Sequence, residues 1–324
     1  MKTEYQDDAE YPKLLDNNDP LGHFRQRFYL NKDNIYMCGN SLGLATKDAE
    51  ECVLEVMEKW KDEGIKIWTV YENKYYLYSK YLAELMAPIV GADPDEVVIV
   101  GGTTINIHQA ISTFYKPTKD KYKILVDDIN FPTDRYAVDS QVRLQALYIN
   151  RRHFKRLPGL AGWYGNKIET QFLLRQDFDH QQDANGWQIG TPNVLSMASL
   201  EGALRVINEA GIPNMRKKSL HITGYLMYLI EKKLIDYGFT IGNLRADSKR
   251  GGHVCLEHDE GYRISIALKS RGIVPDFRDP NVIRLTPAAL YTSYEEVYKL
   301  VEILLDIVKT EGYKTFKMNR NYVV

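Results

Sequence analysis

The chain of 324 residues has little cysteine, no excess of either charge and no long apolar run, and each lack narrows what it can do. Its three cysteines, Cys38, Cys52 and Cys255, lie far apart and form no C-x-x-C, a pattern suited to a reducing compartment. Lys and Arg number 42 against 43 Asp and Glu, so no long-range field draws the chain to nucleic acid or to an anionic membrane. No stretch approaches the ~18 apolar residues of a membrane span. The acidic opening MKTEYQDDAEYPKLLDNNDP lacks the apolar run of a signal peptide. These absences predict a cytoplasmic protein whose partners are neither nucleic acid nor membrane. Metal motifs are missing too: the seven histidines show no H-E-x-x-H and no Cys/His pair spacing, and His253 and His258 stand five apart, so structural or surface roles are expected. No repeat or low-complexity segment interrupts the chain.

What is present is the mixture of an ordinary globular protein, 44% hydrophobic and 26% charged, with 22 Gly and 12 Pro. The length predicts roughly two domains, or one large one. Tyrosine is the compositional oddity, 23 residues that cluster at Tyr71, Tyr75, Tyr76, Tyr78 and Tyr81. A ring that packs and a tip that stays polar suit amphipathic packing or a subunit interface.

After a polar arm, Asn34 to Met37 reads as a short strand leading into the turn Cys38-Gly39-Asn40-Ser41-Leu42-Gly43. From Thr46, Val53, Val56, Met57 and Trp60 repeat at helical spacing. A second helix carries Tyr78, Leu82, Leu85, Met86 and Ile89 and stops at Gly91. Val97 to Val100 is a continuous apolar run, the signature of a strand buried on both faces in a parallel sheet. Gly101-Gly102-Thr103-Thr104 follows at once and opens a helix to about Tyr115. Lys123 to Val126 and Ala146 to Tyr148 read as strands, with a helix opened by Pro132 between them. A loop-like stretch from Pro158 gives way to helices through Met197, Leu200, Leu204 and Ile207 and from about Asn214 to Asp236. Strands near Phe239, His253 to Glu257, Ile273 and Val282, with helices at Tyr262 to Ser270 and through Val297, Leu300, Val301, Leu304 and Val308, complete a small α+β unit. The expected architecture is a doubly wound α/β domain followed by a smaller C-terminal one.

Three features bear on chemistry. The strand–glycine turn–helix at Gly101 to Thr104 offers free backbone N–H groups, a positive dipole end and two hydroxyls, which make either a phosphate cradle or a plain helix cap. It is neither of the nucleotide motifs G-x-x-x-x-G-K-[ST] and G-x-G-x-x-G. Gly39-Asn40-Ser41-Leu42-Gly43 matches the nucleophile elbow G-x-S-x-G in form. Only 38 mostly polar residues precede it, however, where a serine hydrolase would place its oxyanion loop and several strands, so a turn or substrate loop is the better reading. Arg284, within Val282-Ile283-Arg284-Leu285-Thr286-Pro287, is a lone charge in an apolar strand, suited to clamping a carboxylate or to a core ion pair.

Taken in order, IYMCGNSLGL, VVIVGGTTINIHQ, NFPTDRYAVDSQVRLQ, PGLAGWYG, QIGTPNVLSMASLEGAL, KKSLHITGYLMYLI and NVIRLTPAALY resemble kynureninase, along nearly the whole chain. The resemblance implies a pyridoxal-phosphate enzyme of fold type I, the aspartate aminotransferase-like fold. Its large α/β domain has a parallel-type sheet, here truncated in the middle, and a smaller α+β domain follows. The implied divisions are an N-terminal arm and substrate loop at 1–45, a cofactor-binding domain at 46–212 with an internal deletion near 145/146, and a small domain at 213–324. Thr103 and Thr104 would hold the cofactor phosphate, Phe131 would stack on the pyridine ring, and Thr133 and Asp134 belong to the same cofactor-contacting segment, Asp134 against the polar edge. Trp163 and Thr191 would reach the phosphate from a neighbouring subunit, which implies a homodimer. Arg284 would clamp the substrate α-carboxylate, with Ser41, Trp68 and Gly190 around its aromatic part. The implied reaction is hydrolysis of L-kynurenine, or its 3-hydroxy form, to anthranilate or 3-hydroxyanthranilate and L-alanine, in tryptophan catabolism and NAD biosynthesis.

The family's catalytic lysine, in a Ser-x-Lys-Tyr-x-Asn-like segment preceded by Asp-x-x-His, has no counterpart. Asp139-Ser140-Gln141-Val142-Arg143-Leu144-Gln145 runs directly into Ala146-Leu147-Tyr148-Ile149-Asn150, so no Schiff-base lysine can be named. Ser79-Lys80-Tyr81-Leu82 imitates the motif from within a helix, where Lys80 reads as a solvated side chain. Three missing βα units would amount to about 100 residues. Exposing even 400 Å² of apolar surface would cost about 10 kcal/mol, which dimerisation, a rearranged sheet or an unfolded large domain would each answer. A second reading is therefore a catalytically inactive subunit that pairs with a full-length homologue.

Overall fold

The computed structural model describes residues 4–115, 118–120, 146–173 and 177–317, and these form two compact units, one of Asp48–Asn208 and one of Met1–Lys47 with Glu209–Val324. The polar arm thus groups with the C-terminal part of the chain. In chain order the helices are α1 (Tyr11–Asn17), α2 (Lys47–Glu63), α3 (Tyr78–Val90), α4 (Thr103–Phe114), α5 (Val194–Ala210), α6 (Ile212–Lys233), α7 (Gly261–Ser270) and α8 (Tyr294–Lys309). The strands are β1 (Ile35–Tyr36), β2 (Val97–Ile99), β3 (Ala146–Tyr148), β4 (Thr240–Ile241), β5 (Val254–Glu257), β6 (Ile273–Val274), β7 (Asp276–Arg278) and β8 (Val282–Leu285). The strand expected at Lys123 to Val126 and the helix opened by Pro132 lie outside the described residues.

In the unit of Asp48–Asn208, β2 is buried on both faces, as its unbroken apolar run requires. Val97 and Ile99 pack with Cys52, Val56, Tyr78, Leu82, Met197 and Leu204, whereas Val98 packs with Ile149, Ala184 and Trp187. Among the described residues β2 pairs with β3, antiparallel, with Val98 opposite Leu147. An apolar run records burial on two faces but carries nothing about the direction of the neighbouring strand. Helix α3 ends as foreseen at Gly91, whose φ of +68° lies in the left-handed region that glycine enters without a Cβ clash. Helix α2 departs from its expected stripe: the buried positions are Cys52 and Val56, and Trp60 is exposed.

The tyrosine cluster resolves into packing. Tyr75 and Tyr78 are core residues, and the Lys74 ammonium stands 4.7 Å from the Tyr81 ring centroid. Ser79 is buried and its hydroxyl bridges both backbone groups of Ile99, donating to the carbonyl at 2.6 Å and accepting from the N–H at 3.0 Å. Lys80, the next residue, is exposed, so the imitation of the lysine motif is a helix position that fixes β2 with its serine and leaves its lysine in solvent.

In the other unit, a four-stranded antiparallel sheet of order β4-β5-β8-β7 packs with α6, α7 and α8 around Leu226, Ile230, Val254, Leu256, Ile264, Leu268, Ile283, Val297, Leu300 and Leu304. Each fully buried aliphatic side chain here contributes roughly 1.5–3 kcal/mol. A separate parallel pair, β1 with β6, sets Ile35 opposite Ile273. Its continuation joins Cys38 to Thr286 beyond the end of β8, with the Thr286 N–H donating to the Met37 carbonyl at 2.9 Å. That junction brings the Cys38–Gly43 turn to the strands that carry Arg284.

Candidate active site

The predicted site residues fall in both units, and each unit builds its own set by local logic. In the unit of Asp48–Asn208, α4 begins at Thr103 directly after Gly102, whose backbone is extended (φ −80°, ψ 157°). The first intrahelical donors return to the Gly102 carbonyl from Ile105 at 3.1 Å and Asn106 at 3.2 Å, so the first helical turn offers its leading N–H groups outward. Gly102 is exposed, and a Cβ there would meet nothing within 4 Å. Among the described residues nothing stands against Gly102 at the positive end of α4, the end that attracts an anion.

The same helix organises two loops. The Gln109 amide donates to the Trp187 carbonyl at 2.7 Å and the Leu160 carbonyl at 3.4 Å, and the Thr113 hydroxyl accepts from the Gly159 N–H at 2.7 Å. The loops then lie against each other: a Cβ on Gly162 would stand 1.9 Å from the Ile189 carbonyl oxygen, and one on Gly165 2.6 Å from that of Gly186. Glycine is required at both places because the backbones touch. This contact sets Trp163, next to Gly162, beside Gly190 and Thr191, which follow Ile189. Trp163 is exposed, edge-on to Tyr164 at 5.0 Å between centroids and 5.6 Å from Phe172; Gly190 and Thr191 are exposed as well. Trp68 is half-buried at the end of the turn Gly64–Trp68, against the core that holds Tyr78. Phe131, Thr133 and Asp134 lie outside the described residues.

In the other unit, Arg284 on β8 faces Asp276 on β7 in register. The Arg284 Nε donates to Asp276 Oδ2 at 2.7 Å, and Nη2 donates to the same oxygen. That oxygen also accepts from Asn40 Nδ2 at 3.1 Å and Arg278 Nε at 3.3 Å, and Asn40 Oδ1 in turn accepts from the Thr286 hydroxyl at 2.6 Å. Of the two alternatives left open by the sequence, the ion pair is present, with Asp276, and the Arg284 side chain is partly exposed. Ser41 is exposed in the turn, where its N–H donates to the Cys38 carbonyl at 3.0 Å and its hydroxyl bonds the Cys38 thiol. This turn does not feed a helix, which begins only at Lys47, so it is no nucleophile elbow. Gly39 is held close, since a Cβ would lie 2.5 Å from the Tyr291 hydroxyl.

The surroundings keep neighbouring groups neutral. Burial and then the Asp276 charge push the Cys38 thiol up, burial pushes Cys255 up, and burial raises Tyr291 to about 12. Burial and then Arg284 lower His253, which disfavours its charged form. Sequence reasoning missed Asn40, Asp276, Arg278 and Thr286. The signal for Asp276 was the turn Asp279-Pro280-Asn281, about which a hairpin sets 276 opposite 284. A cavity of about 1220 Å³ in this unit, lined by Asp16, Arg25, Lys218 and Glu296 among others, contains none of the predicted site residues. No helix among the described residues is long and apolar enough to cross a membrane, and no metal-binding group of His, Cys, Asp and Glu occurs among them.

The kynureninase C-terminal domain family matches residues 215–304. A kynureninase of Geobacillus thermodenitrificans is 36% identical over 417 aligned positions, covering 97% of each chain. One of Bacillus cereus (strain ATCC 10987) is 37% identical over 427 positions, covering 100% of each. Since 427 exceeds 324 by 103, at least 103 positions of that relative face no residue here. Among solved structures, a cysteine desulfurase of Thermococcus onnurineus NA1 matches at a TM-score of 0.66 over 89% of this chain and 98% of its own, at 13% identity. A mutant of C-DES with glycine covalently linked to its PLP cofactor matches at 0.70 over 86% and 98%, also at 13% identity. The fold is therefore the α/β fold of these fold type I proteins.

Proposed function

Since the chain belongs to the kynureninase family, we propose that it holds pyridoxal 5'-phosphate and acts on an aromatic amino acid with a γ-keto group, L-kynurenine or 3-hydroxykynurenine. The family consists of PLP-dependent hydrolases of C–C bonds in ketonic substances, and the products are anthranilate, or its 3-hydroxy form, and L-alanine. The observation that carries the reading for this chain is the partly exposed Arg284 guanidinium beside the Ser41 turn, a fork of fixed geometry that matches an α-carboxylate.

The residues present fit the cofactor phosphate, because the first turn of α4 carries two threonines after Gly102, where a Cβ would meet nothing within 4 Å among the described residues. In this reading residues 46–212 carry the cofactor and 213–324 the clamp, with 1–45 supplying the substrate loop. Thr103 and Thr104 donate to the phosphate, Trp163 and Thr191 reach it from a second copy, Phe131 covers the ring, and Asp134, in the same cofactor-contacting segment as Thr133, meets its polar edge. When bound, the cofactor supplies an electron sink for charge developing at the substrate Cα. Ser41, Trp68 and Gly190 surround the aromatic part, an apolar wall with one polar contact. The exposure of Trp163 supports its use by a second copy, hence a homodimer, the few cysteines support a cytosolic place, and membership of the kynureninase family supports a role in tryptophan catabolism, the kynurenine pathway and NAD biosynthesis.

A second reading is favoured by one observation: no lysine of the chain stands in the family's Ser-x-Lys-Tyr-x-Asn context. It is a non-catalytic subunit that pairs with a full-length homologue. Purified chain given PLP and L-kynurenine, with anthranilate fluorescence as the readout, decides between them. Anthranilate release above that of free PLP supports the first reading. Kynurenine binding without release, together with co-purification with a full-length kynureninase, supports the second, and absence of both binding and release defeats both.

A further inference from the structure

The charges around Arg284 are arranged asymmetrically. The Asp276 side chain is 9% exposed, whereas Arg284 is 24% and Arg278 40% exposed, so one buried carboxylate serves two outward-lying guanidinium groups. Here one carboxylate between two arginines leaves a net single positive charge, and burial disfavours the charged form of His253. The bonding is specific as well. Asp276 takes the Nε and Nη2 protons on one edge of the Arg284 guanidinium, which leaves the Nη1–Nη2 edge for a second planar oxyanion. Asp276 is itself fixed by Asn40, and Asn40 by Thr286, each from a segment adjoining the Ser41 turn.

We propose that Asp276 is a positioning residue for substrate recognition: it locks the side edge of Arg284 so that the terminal edge is held ready for the substrate α-carboxylate, and Asn40 keeps Asp276 in place. The inference rests on the reading of Arg284 as the carboxylate clamp. A flexible arginine would lose rotamer freedom on each binding event, and a pre-oriented fork has already lost it. The consequence is selectivity for the acid over a neutral isostere, because only the acid gains from the aligned charge.

The test is isothermal titration of the PLP-supplemented chain with L-kynurenine and with its carboxamide, in which the α-carboxylate is replaced by a neutral group. Wild type is expected to prefer the acid. Arg284→Met should abolish the preference. Asp276→Asn should cut it about tenfold by weakening the acid and leaving the amide unchanged, and Asp276→Glu should restore most of it. Asn40→Ala, which keeps the ion pair and removes one support, should show the same pattern at about threefold and serves if Asp276→Asn does not fold. A wild-type preference that survives in Arg284→Met, or no preference in wild type, defeats the clamp itself. Loss in Arg284→Met with wild-type selectivity in Asp276→Asn and Asn40→Ala overturns the positioning role alone. Equal weakening of acid and amide in those variants also overturns it, because that pattern marks a merely structural residue.

Discussion

Glu201 shows how much a single side chain can hold. It lies on α5 with its carboxylate 2% exposed, accepting from Lys74 Nζ at 2.8 Å, Tyr78 Oη at 2.5 Å and Tyr81 Oη at 3.2 Å, and from Arg205 as well. Burial pushes its acid up, but the hydrogen bonds of Lys74 and Tyr78 and the charges of Lys74 and Arg205 outweigh that and hold it below the ordinary carboxylate value. A carboxylate whose folded value is depressed gives its full stabilisation above the unfolded value of 4.5 and loses it as pH falls through the folded one. Glu201→Gln keeps the shape and removes the charge, leaving two cations without their anion. A buried pair broken in this way costs about 3–5 kcal/mol. Because Lys74 and Arg205 reach solvent, the expected loss is about 2 kcal/mol. Urea unfolding at pH 7 measures it, and the same titration at pH 4 should show a smaller difference between variant and wild type, since wild type has begun to lose the term there. An equal difference at both pH values would mean that the carboxylate charge is not what stabilises.

At the level of elements, α8 shows both what local sequence specifies and what it does not. Val297, Leu300, Val301, Leu304 and Val308 repeat at helical spacing, and all are buried. Ser293 and Glu296 form a capping box, the hydroxyl accepting from the Glu296 N–H at 3.1 Å and the carboxylate from the Ser293 N–H at 2.9 Å. Asp16, from the other end of the chain, adds acceptors for the N–H groups of Tyr294 at 2.8 Å and Glu295 at 2.9 Å, and Arg25 grips Glu296 with both terminal nitrogens. Ser293→Ala should therefore cost about 1 kcal/mol and not more, because Asp16 still satisfies two of the first N–H groups; a shifted urea midpoint with an unchanged slope is the signature. The long-range partners were not legible, and the same holds at Arg284. The glycine turn into α4 is local chemistry and could be read directly, whereas the Arg284–Asp276 bond depends on a hairpin register between two short strands. Trp60 fails for a related reason: two apolar stripes overlap on α2, and only packing chooses the one through Cys52 and Val56.

For the molecule as a whole, the fold was legible because it is written in seven motifs in order, and what was not legible is how a sheet closes when its middle is absent. The run Val97–Ile99 has its two faces covered by separate clusters, Cys52, Val56, Tyr78 and Leu82 on one and Ile149, Ala184 and Trp187 on the other, and pairs its backbone with Ala146–Tyr148, the strand that follows the shortened stretch. The same gap removes the lysine context, while the glycine turn into α4, proposed to hold the cofactor phosphate, and Arg284, the proposed carboxylate clamp, are retained, each within its own unit. Binding and covalent attachment therefore come apart. The cofactor should bind through its phosphate and be removed by dialysis, and borohydride treatment of the loaded protein followed by peptide mapping should yield no stoichiometric pyridoxyl-lysine, including at Lys80, which stands in solvent on α3. Positioned proton transfer is worth on the order of 10²–10⁴ in rate, so anthranilate release should fall short of a full-length relative by about that factor, with kynurenine affinity changed far less because Arg284 remains. A single lysine peptide carrying the reduced cofactor in full yield would show that another lysine has taken the place, and would restore full turnover to the expected outcome.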